Sequence, residues 1–355
     1  MNKVKFGIVG CGRIVSKHLE SITEIDSAQL IAVCDVDENK AKTIGEKYGV
    51  PYYTSYDDMI SENEIDVVSV LTPSGLHAEH VIDIVKKFKK NIICEKPMAL
   101  KLSDADEMIR VCDENAVRLF VVKQNRYNLP VQKLKEVLDE GRLGKLVLGT
   151  VRVRWARHQE YYDSADWRGT WQFDGGALTN QASHHIDLLE WMMGQPVEVS
   201  AMISTRLANI ETEDTGIVLI KFENGALGVV EATTAARPIN IEGSISILGE
   251  GGTVEIGGMA VNELKIWKFT KEQPEDKSIV RDFSENPPNI YGYGHKRYIE
   301  NVIETLNTGK KALVDGLEGR KSLELINAIY ESAETGKVVK LRFTPSKSRL
   351  GFKNE

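Results

Sequence analysis

Val4-Lys-Phe-Gly-Ile-Val-Gly10-Cys-Gly12-Arg-Ile-Val15, close to the start of the chain, is the segment from which the fold class follows. The apolar, β-branched run Val4–Val9 predicts a buried strand. Gly10 and Gly12 form a turn that opens a helix, the arrangement that receives the pyrophosphate of a dinucleotide. The third glycine of the G-x-G-x-x-G pattern is replaced by Val15. That glycine serves close helix–strand packing, so the replacement weakens the motif more than the phosphate-binding chemistry.

The same alternation of strand and helix continues to about residue 123. Further strands are predicted at Gln29–Asp35, Asp66–Leu71, Asn91–Cys94 and Val117–Val122, and helices at Arg13–Ile25, Glu38–Tyr48, Tyr56–Ile60, His77–Lys89 and Ser103–Asn115 with Ser103 as its N-cap. Strands separated by helices of this length favour a doubly wound parallel sheet of the Rossmann type. Such sheets bind ligands at the carboxyl ends of their strands.

Asp35, at the end of the second predicted strand, indicates which dinucleotide is bound. An acidic residue there accepts hydrogen bonds from the adenine-ribose hydroxyls and repels a 2′-phosphate. The sequence therefore favours NAD over NADP. Asp37 is the alternative acidic residue, and its position is more typical of a helix N-cap.

From about residue 124 the pattern changes to alternating strands separated by turns such as Asn224–Gly225. This favours a mostly antiparallel sheet. Strands are predicted at Lys145–Trp155, Glu198–Arg206, Thr215–Phe222, Ala226–Thr234, Glu242–Gly249 and Gly252–Ile256, and helices at Leu129–Glu140, Leu178–Met193, Tyr291–Asn307 and Glu318–Thr335. We therefore expect two domains, a Rossmann domain at 1–123 and an α+β substrate-binding and oligomerisation domain at 124–355.

Composition excludes several classes of function. The 355 residues carry 45 Lys+Arg and 52 Asp+Glu, a formal charge of −7, which argues against a nucleic-acid partner. No run approaches the roughly 20 apolar residues of a membrane span, and no signal peptide is apparent. The four cysteines lack metal-ligand spacing, so we expect no metal and a cytoplasmic protein with reduced thiols.

Four separate motifs identify a family. Thr72-Pro-Ser-Gly-Leu-His77 and Glu95-Lys96-Pro97 follow two of the predicted strands, Gly175-Gly-Ala-Leu-Thr-Asn-Gln-Ala-Ser-His-His-Ile-Asp187 lies in the second half, and Val314-Asp-Gly-Leu-Glu-Gly-Arg320 lies near the end. In this order they resemble the glucose–fructose oxidoreductase/inositol dehydrogenase/MocA (Gfo/Idh/MocA) family, and the resemblance covers essentially the whole chain.

This resemblance implies a fold, an assembly and two catalytic residues. A Rossmann domain is joined to an open-faced sheet that packs on another subunit, giving a dimer or tetramer. Lys96 is placed beside the nicotinamide and the reacting hydroxyl, and His184 is the usual proton acceptor. Asn180 stands where many members have Asp, and a neutral amide can orient a group but cannot accept a proton.

The pair Asn180-Gln181, the upstream Trp167-Arg-Gly-Thr-Trp171 and the loop Tyr161–Asp166 resemble one branch of the family. That branch oxidises the 3-hydroxyl of UDP-N-acetylglucosamine or its uronate, a reaction of cell-surface polysaccharide biosynthesis. Cofactor contacts are expected from Gly10, Gly12, Arg13, Ile14, Asp35, Thr72, Pro73, His77, Glu95, Lys96, Gln124, Trp167 and Arg168, and substrate contacts from Lys96, Arg154, Tyr162, Asn180, Gln181 and His184.

The chemistry suits these residues but leaves alternatives open. Oxidising a secondary alcohol transfers a hydride to the nicotinamide and a proton to a base. We expect His184 to be the base and Lys96 to stabilise the alkoxide, although a lysine of lowered pKa could itself be the base. The alternatives are a free-sugar or inositol dehydrogenase and, in another class, a catalytically silent NAD-binding sensor. Asp187 could orient the His184 ring or serve as a capping or interface carboxylate.

Overall fold

The first sheet contains the segment that opens the chain. The computed structural model describes residues 3–285, 292–341 and 348–353. Its first six strands are β1 Val4–Val9, β2 Ala28–Cys34, β3 Tyr52–Tyr53, β4 Val67–Val70, β5 Asn91–Cys94 and β6 Leu119–Val121. They form a parallel sheet in the order β3-β2-β1-β4-β5-β6. This confirms the doubly wound fold, and only the two-residue strand β3 was not predicted.

Helices separate these strands as expected, namely α1 Val15–Glu24, α2 Glu38–Tyr48, α3 Tyr56–Glu62, α4 His77–Phe88 and α5 Leu102–Glu114. Asp37 caps α2, since its side chain accepts hydrogen bonds from the amides of Asn39 and Lys40. The prediction that Ser103 caps α5 is wrong. The helix already includes Leu102, whose buried side chain joins the core, and Lys101 is the N-cap residue.

The second sheet has eight strands, β7 Leu146–Arg154, β8 Pro196–Ser204, β9 Thr215–Phe222, β10 Leu227–Thr233, β11 Glu242–Gly249, β12 Gly252–Gly257, β13 Glu263–Phe269 and β14 Val339–Lys340. Their order is β13-β12-β11-β7-β10-β9-β8-β14. β10 pairs in parallel with β7, and the other neighbours are antiparallel. The predicted mostly antiparallel sheet is confirmed, while β13 and β14 were not predicted.

The helices of the remaining chain are α6 Leu129–Asp139, α7 Gln159–Tyr162, α8 Ser183–Met193, α9 Asp276–Phe283, α10 Gly294–Thr308 and α11 Gly316–Thr335. The predicted start of α10 at Tyr291 lies outside the described residues. Helix α8 packs closely on β7, because a Cβ added to Gly149 would lie 2.7 Å from Leu189 and Met193. Among the described residues, none of the helices is long and apolar enough to cross a lipid bilayer.

The face of the second sheet that lies away from α8 carries exposed apolar side chains. Met202 is 82% exposed, Ile217 53%, Leu219 59% and Leu227 55%. Met202 pairs with Ile217 across β8 and β9, and the others lie on β9 and β10. Alternation along each strand places these residues on the face away from α8.

The chain divides into two compact units. The first comprises residues 1–123 and 295–320, and the second comprises 124–294 and 321–355. The segment 295–320 therefore groups with the first unit, although it follows strand β13 of the second sheet in the sequence. The domain ranges expected from the sequence, 1–123 and 124–355, remain a prediction about how the chain folds and functions.

Candidate active site

The glycine turn lies at the carboxyl end of β1, beside β4, where the strand order reverses. Gly10 has a φ of +102°, and an added Cβ would lie 2.7 Å from the carbonyl carbon of Leu71. An added Cβ at Gly12 would meet nothing within 4 Å. Helix α1 follows without a side-chain cap at its N-terminus. This bare turn, with exposed Arg13 and half-buried Ile14 after it, fits the pyrophosphate of a dinucleotide.

Asp35 is held against this turn. Its Oδ2 accepts a hydrogen bond from the amide of Cys11 at 2.7 Å, and its Oδ1 accepts one from the amide of Asp37 at 2.9 Å. The side chain is half-buried, so an acidic group is fixed between the end of β2 and the glycine turn. A carboxylate in this position matches NAD better than the 2′-phosphate of NADP.

The turn after β4 contains Thr72 and Pro73, both half-buried, and leads into His77 at the start of α4. The His77 ring is buried, with Nδ1 2.8 Å from the carbonyl oxygen of Pro97 and Nε2 2.8 Å from that of Thr72. Burial lowers the pKa of His77, which outweighs the opposing effect of the two carbonyls. His77 therefore ties two turns together, and a direct cofactor contact from it stays a prediction.

Glu95 and Lys96 follow β5. The Glu95 carboxylate is buried and turned inward, where Oε1 accepts from His18 Nε2 at 2.9 Å and Oε2 accepts from the Lys96 amide at 3.0 Å. Burial raises the pKa of Glu95, but the hydrogen bond from His18 and nearby positive charge lower it overall to about 2. In this geometry Glu95 holds the main chain of half-buried Lys96. The cofactor contacts expected of Glu95 and Lys96 stay predictions.

A buried cluster that the sequence did not reveal adjoins this pair. Among the residues that the structure describes, His18, Glu95 and His295 are the group of three that could hold a metal ion, with ligand atoms within 4.8 Å of one another. Burial lowers the pKa of His295 to about 3, so its ring is neutral near physiological pH. Two imidazoles and a carboxylate suit a divalent transition metal. In the structure the His18–Glu95 hydrogen bond already joins two of the three.

In the second unit, a π-helical turn, Ala177–Gln181, leads into α8 and presents two of the predicted substrate residues. The Asn180 side-chain amide donates to the carboxylate of buried Asp174. Gln181 Nε2 donates to Asn180 Oδ1 at 3.3 Å and to the hydroxyl of Tyr161 at 3.4 Å. Asp174 thus orients Asn180, a role that sequence spacing did not indicate.

The structure brings Trp167 and Arg168 to the same cluster through Tyr161. Arg168 Nη1 donates to the Tyr161 hydroxyl at 2.7 Å, and its guanidinium lies 4.5 Å from the ring centres of both Tyr161 and Trp167. The predicted substrate residue Tyr162 points elsewhere, with its hydroxyl 2.9 Å from Thr234 Oγ1. Tyr161 rather than Tyr162 therefore joins Arg168 and Gln181, because adjacent residues on a short helix point in different directions, and a substrate contact from Tyr162 stays a prediction.

The adjacent histidines of α8 have different surroundings. His185 is buried against the edge of Trp155, with ring centres 6.0 Å apart, and an added Cβ at Gly243 would lie 2.9 Å from its Nε2. Burial lowers the pKa of His185 to about 4. His185 is therefore a packing residue, which leaves His184 as the candidate base.

Asp187 and Arg126 form a buried bidentate salt bridge. Arg126 Nε donates to Asp187 Oδ2 at 2.8 Å, and Nη2 donates to Oδ1 at 2.9 Å. The Arg126 guanidinium also lies 4.8 Å from the ring centre of Trp191. This pair anchors α8 to the short 3-10 turn Gln124–Tyr127, which contains the buried Gln124 expected to contact cofactor.

The structure does not bring Arg154 together with the other predicted substrate residues of this unit. Its guanidinium makes a bidentate pair with Glu231, with contacts of 2.6 and 2.8 Å. Strand alternation places both on the open face of the sheet, whereas α8 packs on the other face, against Gly149. Within this chain, Arg154 therefore stabilises the exposed sheet surface.

Comparison with known proteins identifies the class. Residues 4–123 match the model of the Gfo/Idh/MocA oxidoreductase family's NAD-binding Rossmann fold, and residues 135–341 match its C-terminal alpha/beta domain. The chain belongs to this family, as its motifs predicted. It is an oxidoreductase with an NAD-binding Rossmann domain.

Two solved structures and one relative of known activity differ in their sequence identity to this chain. The WlbA dehydrogenase from Bordetella pertussis, crystallised with NADH and UDP-GlcNAcA, is 42% identical, with a TM-score of 0.92 over 96% of this chain and 99% of that one. The WlbA enzyme from Chromobacterium violaceum, also in complex with NADH and UDP-GlcNAcA, is 43% identical, with a TM-score of 0.90 over 97% of each chain. Myo-inositol 2-dehydrogenase from Thermotoga maritima is 28% identical over 346 residues, covering 95% of this chain and 98% of its own.

Proposed function

We propose that this protein is an NAD-dependent dehydrogenase that oxidises the 3-hydroxyl of a UDP-N-acetylhexosamine or its uronate to the 3-keto sugar. The observation that carries the proposal is its 42% identity, over nearly the whole chain, with an enzyme crystallised with NADH and UDP-GlcNAcA. The Tyr161–Arg168 cluster beside Asn180 and Gln181 supports it, because a guanidinium and aromatic faces suit a phosphorylated nucleotide.

In the proposed mechanism, different side chains accept the proton, stabilise negative charge and orient the substrate. NAD, when bound, supplies the hydride acceptor. His184 accepts the hydroxyl proton, since imidazole titrates near neutral pH. Lys96 assists by stabilising negative charge on the substrate oxygen, and Glu95 fixes its main chain. Asn180 orients the substrate and does not take the proton.

The remaining cofactor contacts are proposed from the residues around the glycine turn. Gly10, Gly12 and Asp35 are supported by the bare turn and the fixed carboxylate. Contacts from Thr72 and the Trp167–Arg168 pair are part of the same proposal. The exposure of Arg13 and the absence of a side-chain cap hydrogen bond at the N-terminus of α1 agree with a phosphate at this end.

A free cyclitol or sugar is the second candidate substrate. It is favoured by the 28% identity with a myo-inositol 2-dehydrogenase across 95% of this chain. The two candidates share NAD, Lys96 and His184 and differ in whether the nucleotide is recognised.

A substrate screen tests the proposal. NADH absorbance is followed with UDP-N-acetylglucosamine, its uronate, glucose and inositol, and mass spectrometry identifies the keto product. UDP-sugars are expected to support turnover. Activity on inositol alone would favour the second candidate, and NAD binding without NADH formation on any substrate would indicate the silent sensor.

Two variants then test the catalytic roles. His184→Asn and Lys96→Met are each expected to lower turnover about 100-fold or more while NAD still binds. His158→Asn and Lys145→Met, which change exposed residues, serve as matched controls. Near wild-type rates in both site variants would contradict the mechanism.

The proposal includes self-association through the open sheet face. Met202, Ile217, Leu219 and Leu227 form adjacent exposed apolar positions there, and such patches are uncommon on monomeric surfaces. A second copy of the chain is the proposed occupant, giving a dimer or tetramer. A cytoplasmic location is also proposed, in keeping with the four buried free cysteines.

A further inference from the structure

Glu213 is a buried acid that the proposed mechanism leaves without a role. It lies two residues before β9 and is only 1% exposed. Its Oε1 accepts a hydrogen bond from the amide of Leu178 at 2.8 Å. Its main-chain oxygen accepts another from the amide of Ala177 at 3.0 Å. Glu213 therefore holds the first two residues of the π-helical turn Ala177–Gln181.

Tyr330, on α11, completes this arrangement. Its hydroxyl donates to Glu213 Oε1 at 2.8 Å and accepts from Thr179 Oγ1 at 2.9 Å and the amide of Gly176 at 3.3 Å. One donor and two acceptor sites of the phenol are used in this way. Four consecutive residues, 176–179, are thus hydrogen-bonded to the Glu213–Tyr330 pair.

The carboxylate also determines which residue can stand at position 176. An added Cβ at Gly176 would lie 2.0 Å from Glu213 Oε2, so a side chain there would collide with the acid. The turn and the buried acid are therefore complementary in shape. Such close packing leaves little freedom for the turn while Glu213 remains in place.

The surroundings of Glu213 favour its neutral form. Its Oε2 has no hydrogen-bond partner among the described residues. Asp174, in the loop before the turn, and Tyr330 are the ionisable groups that act on it, and Asp174 opposes its ionisation. Asp214, next to it in the chain, is occupied by the amides of Arg206 to Ala208. Burial raises the pKa of Glu213 to about 7.

We propose that Glu213 is a positioning residue of this dehydrogenase: with Tyr330 it fixes the main chain of residues 176–179 and thereby the presentation of Asn180 and His184. The catalytic roles of Asn180 and His184, which that turn presents, rest on the proposed function. The neutral acid supports the turn, whereas an ionised carboxylate buried without a cation destabilises it. Turnover is therefore linked to the protonation of a residue that does not contact the substrate.

Three variants and a control test this role by kinetics. Glu213→Ala is expected to lower kcat about tenfold or more with KM for NAD unchanged, because small misplacements of catalytic groups are costly. Tyr330→Phe, which keeps the ring and removes the hydroxyl, is expected to lower kcat by about threefold or more for the same reason. Glu213→Gln, an uncharged mimic, is expected to keep wild-type kcat near neutral pH and to retain activity at alkaline pH where the wild type declines. Glu223→Gln, at an exposed site near β9, should match the wild type.

Amide hydrogen exchange gives a second readout that needs no substrate. Exchange in a peptide covering residues 176–184 is expected to accelerate in Glu213→Ala and Tyr330→Phe and to stay slow in Glu213→Gln. Unchanged exchange in both disruptive variants, or a Glu213→Gln variant as impaired as Glu213→Ala, would overturn the positioning role. If no UDP-sugar is oxidised, the proposed function fails, yet the exchange data still decide whether Glu213 holds the turn.

Discussion

Substituting alanine at each of two glycines should separate folding from cofactor binding. At Gly12 an added Cβ meets nothing within 4 Å, and its backbone lies outside the left-handed region. Gly12→Ala should therefore leave the fold intact and stabilise it by about 0.4–1 kcal/mol, because the unfolded chain loses freedom. The methyl group projects where the turn is bare, so NAD affinity is expected to fall at least about tenfold, equivalent to about 1.4 kcal/mol.

Gly10→Ala should behave in the opposite way. Its φ of +102° is unfavourable for an L-residue, at a cost of about 1–3 kcal/mol. The new Cβ would also lie 2.7 Å from the main-chain carbon of Leu71, which cannot rotate away. Together these effects predict a loss of about 3 kcal/mol or more in the free energy of unfolding.

Two measurements on each variant separate its effect on folding from its effect on NAD binding. Thermal unfolding without NAD reports on folding, and isothermal titration calorimetry reports on NAD affinity. The expected pattern is a stable Gly12→Ala with weak binding and a destabilised Gly10→Ala. Wild-type NAD affinity in Gly12→Ala would refute the assignment of this turn, and wild-type stability in Gly10→Ala would refute the steric argument.

Three further predictions concern stability and assembly. Asp187→Ala leaves Arg126 buried without its partner and should lower the free energy of unfolding, measured in urea, by about 3–5 kcal/mol. The double variant Arg126→Met with Asp187→Leu leaves no buried charge and should lower it much less. Equal losses in the two proteins would contradict the buried-pair argument. Burial raises the pKa of Glu213 from 4.5 to about 7, so the unfolded chain releases this proton first and stability falls between those pH values. The free energy of unfolding of Glu213→Gln should then exceed that of the wild type by about 3 kcal/mol near pH 8 and match it near pH 4.5. Urea unfolding at both pH values would show this difference. Leu219→Glu should yield a smaller species by light scattering, whereas Leu317→Glu, at an exposed helix position, should not; an unchanged mass in both would exclude the open face as the interface.

Local patterns were sufficient for most of the secondary structure. Val4–Val9, Asn91–Cys94, Thr215–Phe222 and Glu242–Gly249 form strands with the predicted bounds, because apolar runs and alternation are properties of neighbouring residues. Short or irregular elements such as Tyr52–Tyr53 were not predicted, because two residues carry too little periodicity and pair only through their neighbour β2.

Residues of the candidate site differ in how far they could be predicted. Gly10, Gly12 and Asp35 follow from their places at strand ends. Tyr161 could not be distinguished from Tyr162, because the direction of a side chain on a one-turn helix depends on what packs around it. The family motifs supplied Lys96 and His184, for which spacing alone offered no role.

The order of apolar, glycine and acidic residues was enough to predict the two kinds of sheet and the preference for NAD. The resemblance of four short motifs was enough to indicate the family. Each of these inferences depends on short segments of the sequence. Long-range packing was needed to place His295 beside Glu95 and to set Glu213 beneath the turn before His184. It also directed Arg154 to the open face of the sheet. These contacts join residues distant in sequence, and their burial and hydrogen bonding arise only when the chain has folded.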